Sequence, residues 1–301
     1  MKVFITGASG YIGGTVAAKL IDMGHAVTGL VRSAEKADAI RARGLTPVLG
    51  DLDAADVLAR EAKAADAVVH TAHADHAPSA EALVGALRGS GKLYLHTSGS
   101  SIVGTQAGGE FLEPVYDEAT PFTPSPGRAP RVALNEKILA STADNVRAVI
   151  IAPSLIYGLG RGAGLHSMQV PWLITLAKKY GEARHIGSGG NRWANVHIDD
   201  LADLYALALE KAPAGAFYYA ENGENSMQEV CAAISRMLGF GGSTVSMTVD
   251  EAAKEWGDGP ARNTMGSNSR VRAVRPRREL GWQPHRPSLV DEIERGCYRE
   301  G

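Results

Sequence analysis

The run Val3-Phe4-Ile5-Thr6-Gly7-Ala8-Ser9-Gly10-Tyr11-Ile12-Gly13 constrains this chain more than any other stretch. An apolar strand leads directly into a glycine-spaced turn, and the turn leads into an amphipathic helix pattern ending near Met23. Each glycine has its own physical task. Gly7 lets the chain turn tightly, Gly10 lets backbone approach a pyrophosphate with no Cβ in the way, and Gly13 lets the helix pack close to the strand. The helix start then offers free N–H groups and a partial positive charge to an anion. Strand, turn and helix in this order predict a dinucleotide cradle formed by Gly7, Ser9, Gly10, Tyr11, Ile12 and Gly13.

The pattern continues. Apolar strand candidates at Val3–Thr6, Ala26–Val31, Thr46–Leu49, Ala67–Thr71, Leu93–Thr97 and Val146–Ile151 alternate with helix candidates at 11–23, 34–43, 54–64, 78–89 and 131–143. Short strands that are apolar nearly throughout, separated by helices, predict an α/β fold with a doubly wound parallel sheet covered on both faces. The Gly- and Pro-rich stretch from Gly104 to Pro130 breaks this rhythm and is expected to be a functional or mobile loop. Beyond Pro153 a helix near 166–180, a strand pair near His185 and Trp193–His197, and helices at 199–211 and 226–238 predict a smaller lobe. The division expected is a nucleotide-binding domain over 1–155 and a mainly substrate-binding lobe over 156–301, with segments near 190–220 returning to the first domain.

Composition sets limits on partners. The 301 residues are 45% hydrophobic with a net charge of −2, as in ordinary globular proteins, and this argues against nucleic acid or an anionic membrane as partner. Cys231 and Cys297 lie far apart in no paired motif, which points to a reducing compartment and to no metal site. Residues 2–6 already form a strand rather than a leader, and no apolar run reaches about 18 residues. A cytoplasmic location is expected.

Further segments carry a family resemblance. Thr-Gly-Ala-Ser-Gly-Tyr-Ile-Gly (6–13), Gly-Asp-Leu (50–52), Val-Val-His-Thr-Ala (68–72), Pro-Ser-Leu-Ile-Tyr-Gly (153–158), Asn-Val-His-Ile-Asp-Asp-Leu-Ala (195–202) and Leu-Gly-Trp-Gln-Pro (280–284) occur in order. The chain resembles the extended or atypical short-chain dehydrogenase/reductases, the epimerase/dehydratase-like group. The resemblance implies a Rossmann-type fold and further cofactor contacts from Asp51, Leu52, Thr71, Ala72, Lys137 and Pro153. It implies a homodimer by analogy. It also exposes departures. With Lys137 at the lysine of the family's Tyr-x-x-x-Lys dyad, Ala133 occupies the tyrosine position, and no tyrosine lies between Tyr116 and Tyr157. The family's catalytic Ser/Thr position falls on Gly99, flanked by Ser98 and Ser100.

Cofactor choice follows from the end of the second strand. NAD-preferring folds carry an acid about 20 residues past the first glycine. Here no acid lies between Asp22 and Glu35, and the strand ends in Arg32-Ser33. A forked guanidinium and a hydroxyl suit a 2′-phosphate, so NADP(H) is expected over NAD(H). Lys137 is expected to hold the nicotinamide ribose. Lys137 itself, His73, His76, Ser98, Ser100 and Tyr157 are the candidate proton-handling groups, and His73, Ser100, Tyr157 and Trp193 the candidate substrate contacts. Among Trp172, Trp193, Trp256 and Trp282, one or two are expected to wall the pocket. The six arginines between Ala261 and Arg278, with no acid among them, read either as a solvated basic face or as a diphosphate clamp. The leading functional expectation is an NADP(H)-dependent carbonyl reductase or alcohol dehydrogenase acting on a small molecule. A nucleotide-sugar epimerase/dehydratase and a non-catalytic NADP(H)-binding sensor are the alternatives.

Overall fold

The computed structural model describes residues 1–300. Strands β1 (Lys2–Thr6), β2 (Ala26–Val31), β3 (Thr46–Leu49), β4 (Ala67–His70) and β5 (Leu93–Thr97) alternate with helices α1 (Tyr11–Asp22), α2 (Ala34–Arg41), α3 (Ala55–Ala64) and α4 (Ala77–Leu87). A two-residue strand, β6 (Thr105–Gln106), precedes α5 (Ala129–Ala140), β7 (Arg147–Pro153) and β8 (Leu155–Tyr157). Then come α6 (Gln169–Tyr180), β9 (Ala183–Ile186), β10 (Arg192–His197), α7 (Ile198–Lys211) and β11 (Ala216–Ala220). β12 (Glu224–Ser226), α8 (Met227–Met237), β13 (Thr244–Met247) and β14 (Ser267–Asn268) complete the strands.

Seven strands form one parallel sheet in the order β11-β7-β5-β4-β1-β2-β3. The chain moves outward from β1 to β3, then returns to β4 on the other side of β1. This reversal opens a crevice at the carboxyl ends of β1 and β4, where open α/β sheets bind ligands. Strand alternation divides the hydrophobic side chains between two faces. Val3 and Ile5 join the core that includes Leu20, Leu201 and Leu204, while Phe4 joins the one that includes Leu58, Leu83 and Ile138. β4 and β5 are buried along their whole length, as the near-continuous apolar sequence requires.

A third core, with Leu173, Trp193, Ile234 and Tyr157, packs α6, α8, β8 and β10 together, a group of elements termed the smaller lobe. The strands around His185 and Trp193 do not pair with each other, contrary to the sequence expectation. β9 pairs with β13, whereas β10 lies between β8 and β12. Gly187 and Gly189 both have positive φ, and the turn they make redirects the chain between sheets. The segment from Gly104 to Pro130 is tied to this lobe. β6 pairs with β14, and the Tyr116 N–H donates to the Arg270 carbonyl at 2.9 Å.

α5 starts two residues earlier than its hydrophobic period predicts. Pro130 lies in its first turn, where a missing N–H costs nothing. Arg128 is thereby the residue preceding the helix, beside the carboxyl ends of the strands.

Candidate nucleotide groove and substrate pocket

The cradle has the geometry that its glycines require. Gly7 has φ +77°, and a Cβ there would lie 2.8 Å from Thr71 Oγ1. A Cβ on Gly13 would lie 2.4 Å from both Gly7 O and Thr71 Oγ1, so α1 rests directly on the turn. A Cβ on Gly10 meets only Gly7 O, at 3.2 Å, which leaves its ligand-facing side open. Gly10 precedes α1 without a side-chain cap, so the first-turn N–H groups remain for an anion.

A groove runs from this turn across the ends of β1, β2 and β4. Gly7, Ser9, Gly10, Arg32, Asp51, Leu52 and Ala72 line it together with Lys36 and His76. These residues fit a dinucleotide, with backbone donors at its centre and cations at the end of β2. Asp51 also organises the start of α3, because its Oδ1 accepts the N–H groups of Asp53 and Ala54 at 3.0 Å each. Several expected contacts have other work. Thr71 Oγ1 donates to the Thr6 carbonyl, and Ser33 Oγ caps α2 by accepting the Lys36 N–H. The Tyr11 hydroxyl donates to the Gly158 carbonyl at 2.8 Å, away from the groove lining. His73 lines the nucleotide groove rather than the substrate pocket.

A second pocket opens beside the cradle, with Ile12 and Pro153 in its wall. Ser98, Gly99, Ser100 and Ser101 enter it from the end of β5, Arg128 from just before α5 and Arg131 from its first turn, and Ile156, Met168, Trp172 and Trp193 from the smaller lobe. Neither Asp nor Glu lines it among the described residues. The hydroxyls differ in what they can offer. Ser269 Oγ donates to the Ser100 carbonyl, so the 2.8 Å contact between the two hydroxyls consumes the Ser100 proton. Ser98 Oγ instead accepts from Asn135 Nδ2 at 2.9 Å and keeps its own proton to donate.

The face of α5 corrects the sequence expectation. Asn135 is buried against Ser98, and Arg128 and Arg131 lie seven and four residues before it on the same face. Lys137 lies about 200° around the helix from Asn135. It is 63% exposed and pairs with Glu81 of α4 at 2.7 Å, so it does not reach the nucleotide groove. Near the vacant serine position, a Cβ on Gly99 would begin 3.4 Å from Arg131 Nη1. Arg131 occupies that space. Its Nη1 donates to Ser101 Oγ at 3.2 Å and its Nε to Asp75 Oδ1 at 2.6 Å, and this pairing holds the Asp75 carboxyl below the usual range.

Tyr157 is likewise displaced from its expected role. It is fully buried, and its hydroxyl donates to the Pro287 carbonyl. Strand alternation sends its neighbour Ile156 into the pocket instead. Of the tryptophans, Trp172 and Trp193 wall the pocket, Trp256 stacks behind Trp172, and Trp282 is core. The six C-terminal arginines pair with Asp250, Asp258, Glu221, Glu224 and Glu279, and none lines the pocket. They form the paired basic face, although not with Glu292 and Glu294, the acidic helix considered for them.

Comparison with known proteins agrees with this architecture. Residues 3–219 match the NAD dependent epimerase/dehydratase family. The chain is 32% identical to Oxidase ucsJ of Acremonium sp, over 97% of this chain and 95% of that one. It is 26% identical to 2-alkyl-3-oxoalkanoate reductase of Stenotrophomonas maltophilia, over 74% of this chain and 71% of the relative. Its fold resembles that of dTDP-glucose 4,6-dehydratase from Bacillus anthracis in complex with NAD, with TM-score 0.77 at 16% identity, over 98% of this chain and 94% of that one. The protein belongs to the NAD-dependent epimerase/dehydratase family and is an enzyme of its NAD(P)-dependent, extended short-chain dehydrogenase/reductase type.

Proposed function

We propose that the protein is an NADP(H)-dependent carbonyl reductase. The observation that carries the cofactor choice is the pair Arg32 and Lys36, both lining the groove at the end of β2. No acid lies on the chain between Asp22 and Glu35 to bind a free ribose 2′-hydroxyl. Two cations at that end favour a 2′-phosphate. The names of a reductase and an oxidase among the relatives support redox chemistry, and the reductase name supports a ketone as substrate.

The bound nicotinamide supplies the hydride, and the chain supplies position and polarity. Ile12 and Pro153 connect the cradle to the substrate pocket. Ser98, oriented by Asn135, offers its hydroxyl proton to a substrate oxygen. Trp172, Trp193 and Ile156 exclude water from the same space.

Fluorescence titration tests this reading. NADPH should bind about tenfold or more tightly than NADH, and Arg32→Ala with Lys36→Ala should remove the difference. Equal affinity of the unaltered protein for the two nucleotides would refute the assignment. Following NADPH absorbance with a panel of ketones then tests turnover, and Ser98→Ala should lower kcat by about a hundredfold.

A further inference from the structure

We propose that the substrate carries a carboxylate on an apolar body, and that Arg128 holds the carboxylate. Its place as a carbonyl substrate rests on the reductase reading above. The anion and its apolar body rest on the pocket itself.

Two guanidinium groups line the pocket, and they are not equivalent. Arg131 is neutralised by Asp75 and also engages Ser101. The Arg128 side chain makes no hydrogen bond or ion pair among the described residues, so one positive charge in this trio is left over. Arg128 is half buried; its burial and then the neighbouring Arg131 disfavour its charged form, and Asp75, already paired with Arg131, offsets them only in part. A partly desolvated cation without a partner is costly, and a bound anion relieves that cost. The planar fork of Arg128 suits a carboxylate's two oxygens.

Part of the remaining lining is apolar, alongside the polar side chains of Ser154, Gln169, Asn263 and Thr264. Trp172 is backed by Trp256 with ring centroids 6.5 Å apart, and Trp193 and Ile156 complete an apolar surface. Met168 also lines the pocket and is 63% exposed. The single excess charge also separates this ligand from a nucleotide diphosphate. The six C-terminal arginines that such a group could use are all paired elsewhere.

The test compares octanoate with octanamide, which share a chain length and differ in charge. Binding is read from tryptophan fluorescence, with and without NADP+. Octanoate should bind about tenfold to a hundredfold more tightly than octanamide. Arg128→Gln should erase that preference, and Arg128→Lys should restore part of it. Equal affinity for acid and amide in the unaltered protein would overturn the proposal, as would a preference that survives in Arg128→Gln. UDP-glucose binding more tightly than octanoate, with dependence on Arg128, would also overturn it by making the anion a diphosphate. NADPH affinity on the same samples reports separately on the reductase reading. The comparison without nucleotide still decides the anion if that reading fails. Should Arg128→Gln lose its thermal transition, the acid–amide comparison in the unaltered protein decides alone.

Discussion

Gly13 and Lys137 show how differently two residues of one motif set can be read. The role of Gly13 follows from chemistry confined to a few neighbours in sequence, because a helix starting immediately after a strand needs a Cβ-free contact. A Cβ would lie 2.4 Å from Gly7 O, a backbone atom that cannot swing aside. Gly13→Ala should therefore destabilise the fold by about 1–3 kcal/mol in urea denaturation and weaken NADPH binding at the same time. Unchanged stability would show that the turn can relax. Lys137 depends on which side of α5 faces the sheet, and spacing from a motif does not determine that. It is exposed and paired with Glu81, so Lys137→Ala should change stability by less than about 1 kcal/mol and leave turnover intact. A loss of NADPH affinity in that variant would restore the ribose-binding role expected from sequence. Tyr157 and Ile156 teach the same lesson at a strand. A shift of one residue exchanges pocket for core.

At the scale of elements, the parallel strands and their helices were legible because local periodicity and burial coincide. What those strands bury besides hydrocarbon was not. His70 of β4 and His96 of β5 are directly paired in register and stack at 5.3 Å. Thr6 Oγ1 meets His70 Nδ1 at 2.6 Å, and the Tyr94 hydroxyl meets His96 Nδ1 at 3.2 Å. Burial lowers His70 to about 3 and His96 to about 4, so both are neutral in the folded protein. His185 and His197 are shifted in the same direction by the same cause. The unfolded chain takes up these protons near the ordinary histidine value of about 6.5, while the folded chain does not. Stability is therefore full above that pH and declines as pH falls from there toward 4. The urea midpoint should be lower at pH 5 than at pH 7.5, and His96→Phe should flatten the slope. A midpoint independent of pH across this window would remove the buried pair from the account.

Over the whole molecule, the two lobes divide the work unequally. The nucleotide groove belongs to the sheet domain, whereas the substrate pocket takes Ser98 and Arg128 from that domain and Trp172 and Trp193 from the smaller lobe. Motif order pointed to the first groove. The second forms only when distant segments meet, so Arg128, Arg131 and Asn135 carried no local signal beyond lying near a helix start. The glycine-rich loop 158–164 packs on α1. Gly162 packs on α1 so closely that its Cβ would lie 2.4 Å from Gly14 Cα, and the Arg161 N–H donates to Thr15 Oγ1. The loop that leads into α6 thus rests on the same helix that begins at the groove-lining Gly10. NADPH at a hundred times its Kd should stabilise the folded protein by about 2.7 kcal/mol. A coupled molecule would show this as one thermal transition moved up by several degrees. Gly162→Val forces the loop off α1. It should shrink the nucleotide-induced shift and split or broaden the transition, with a smaller effect on the melting temperature of the free protein. A full shift in a single transition for that variant would show that the loop merely covers the helix and transmits nothing between the lobes.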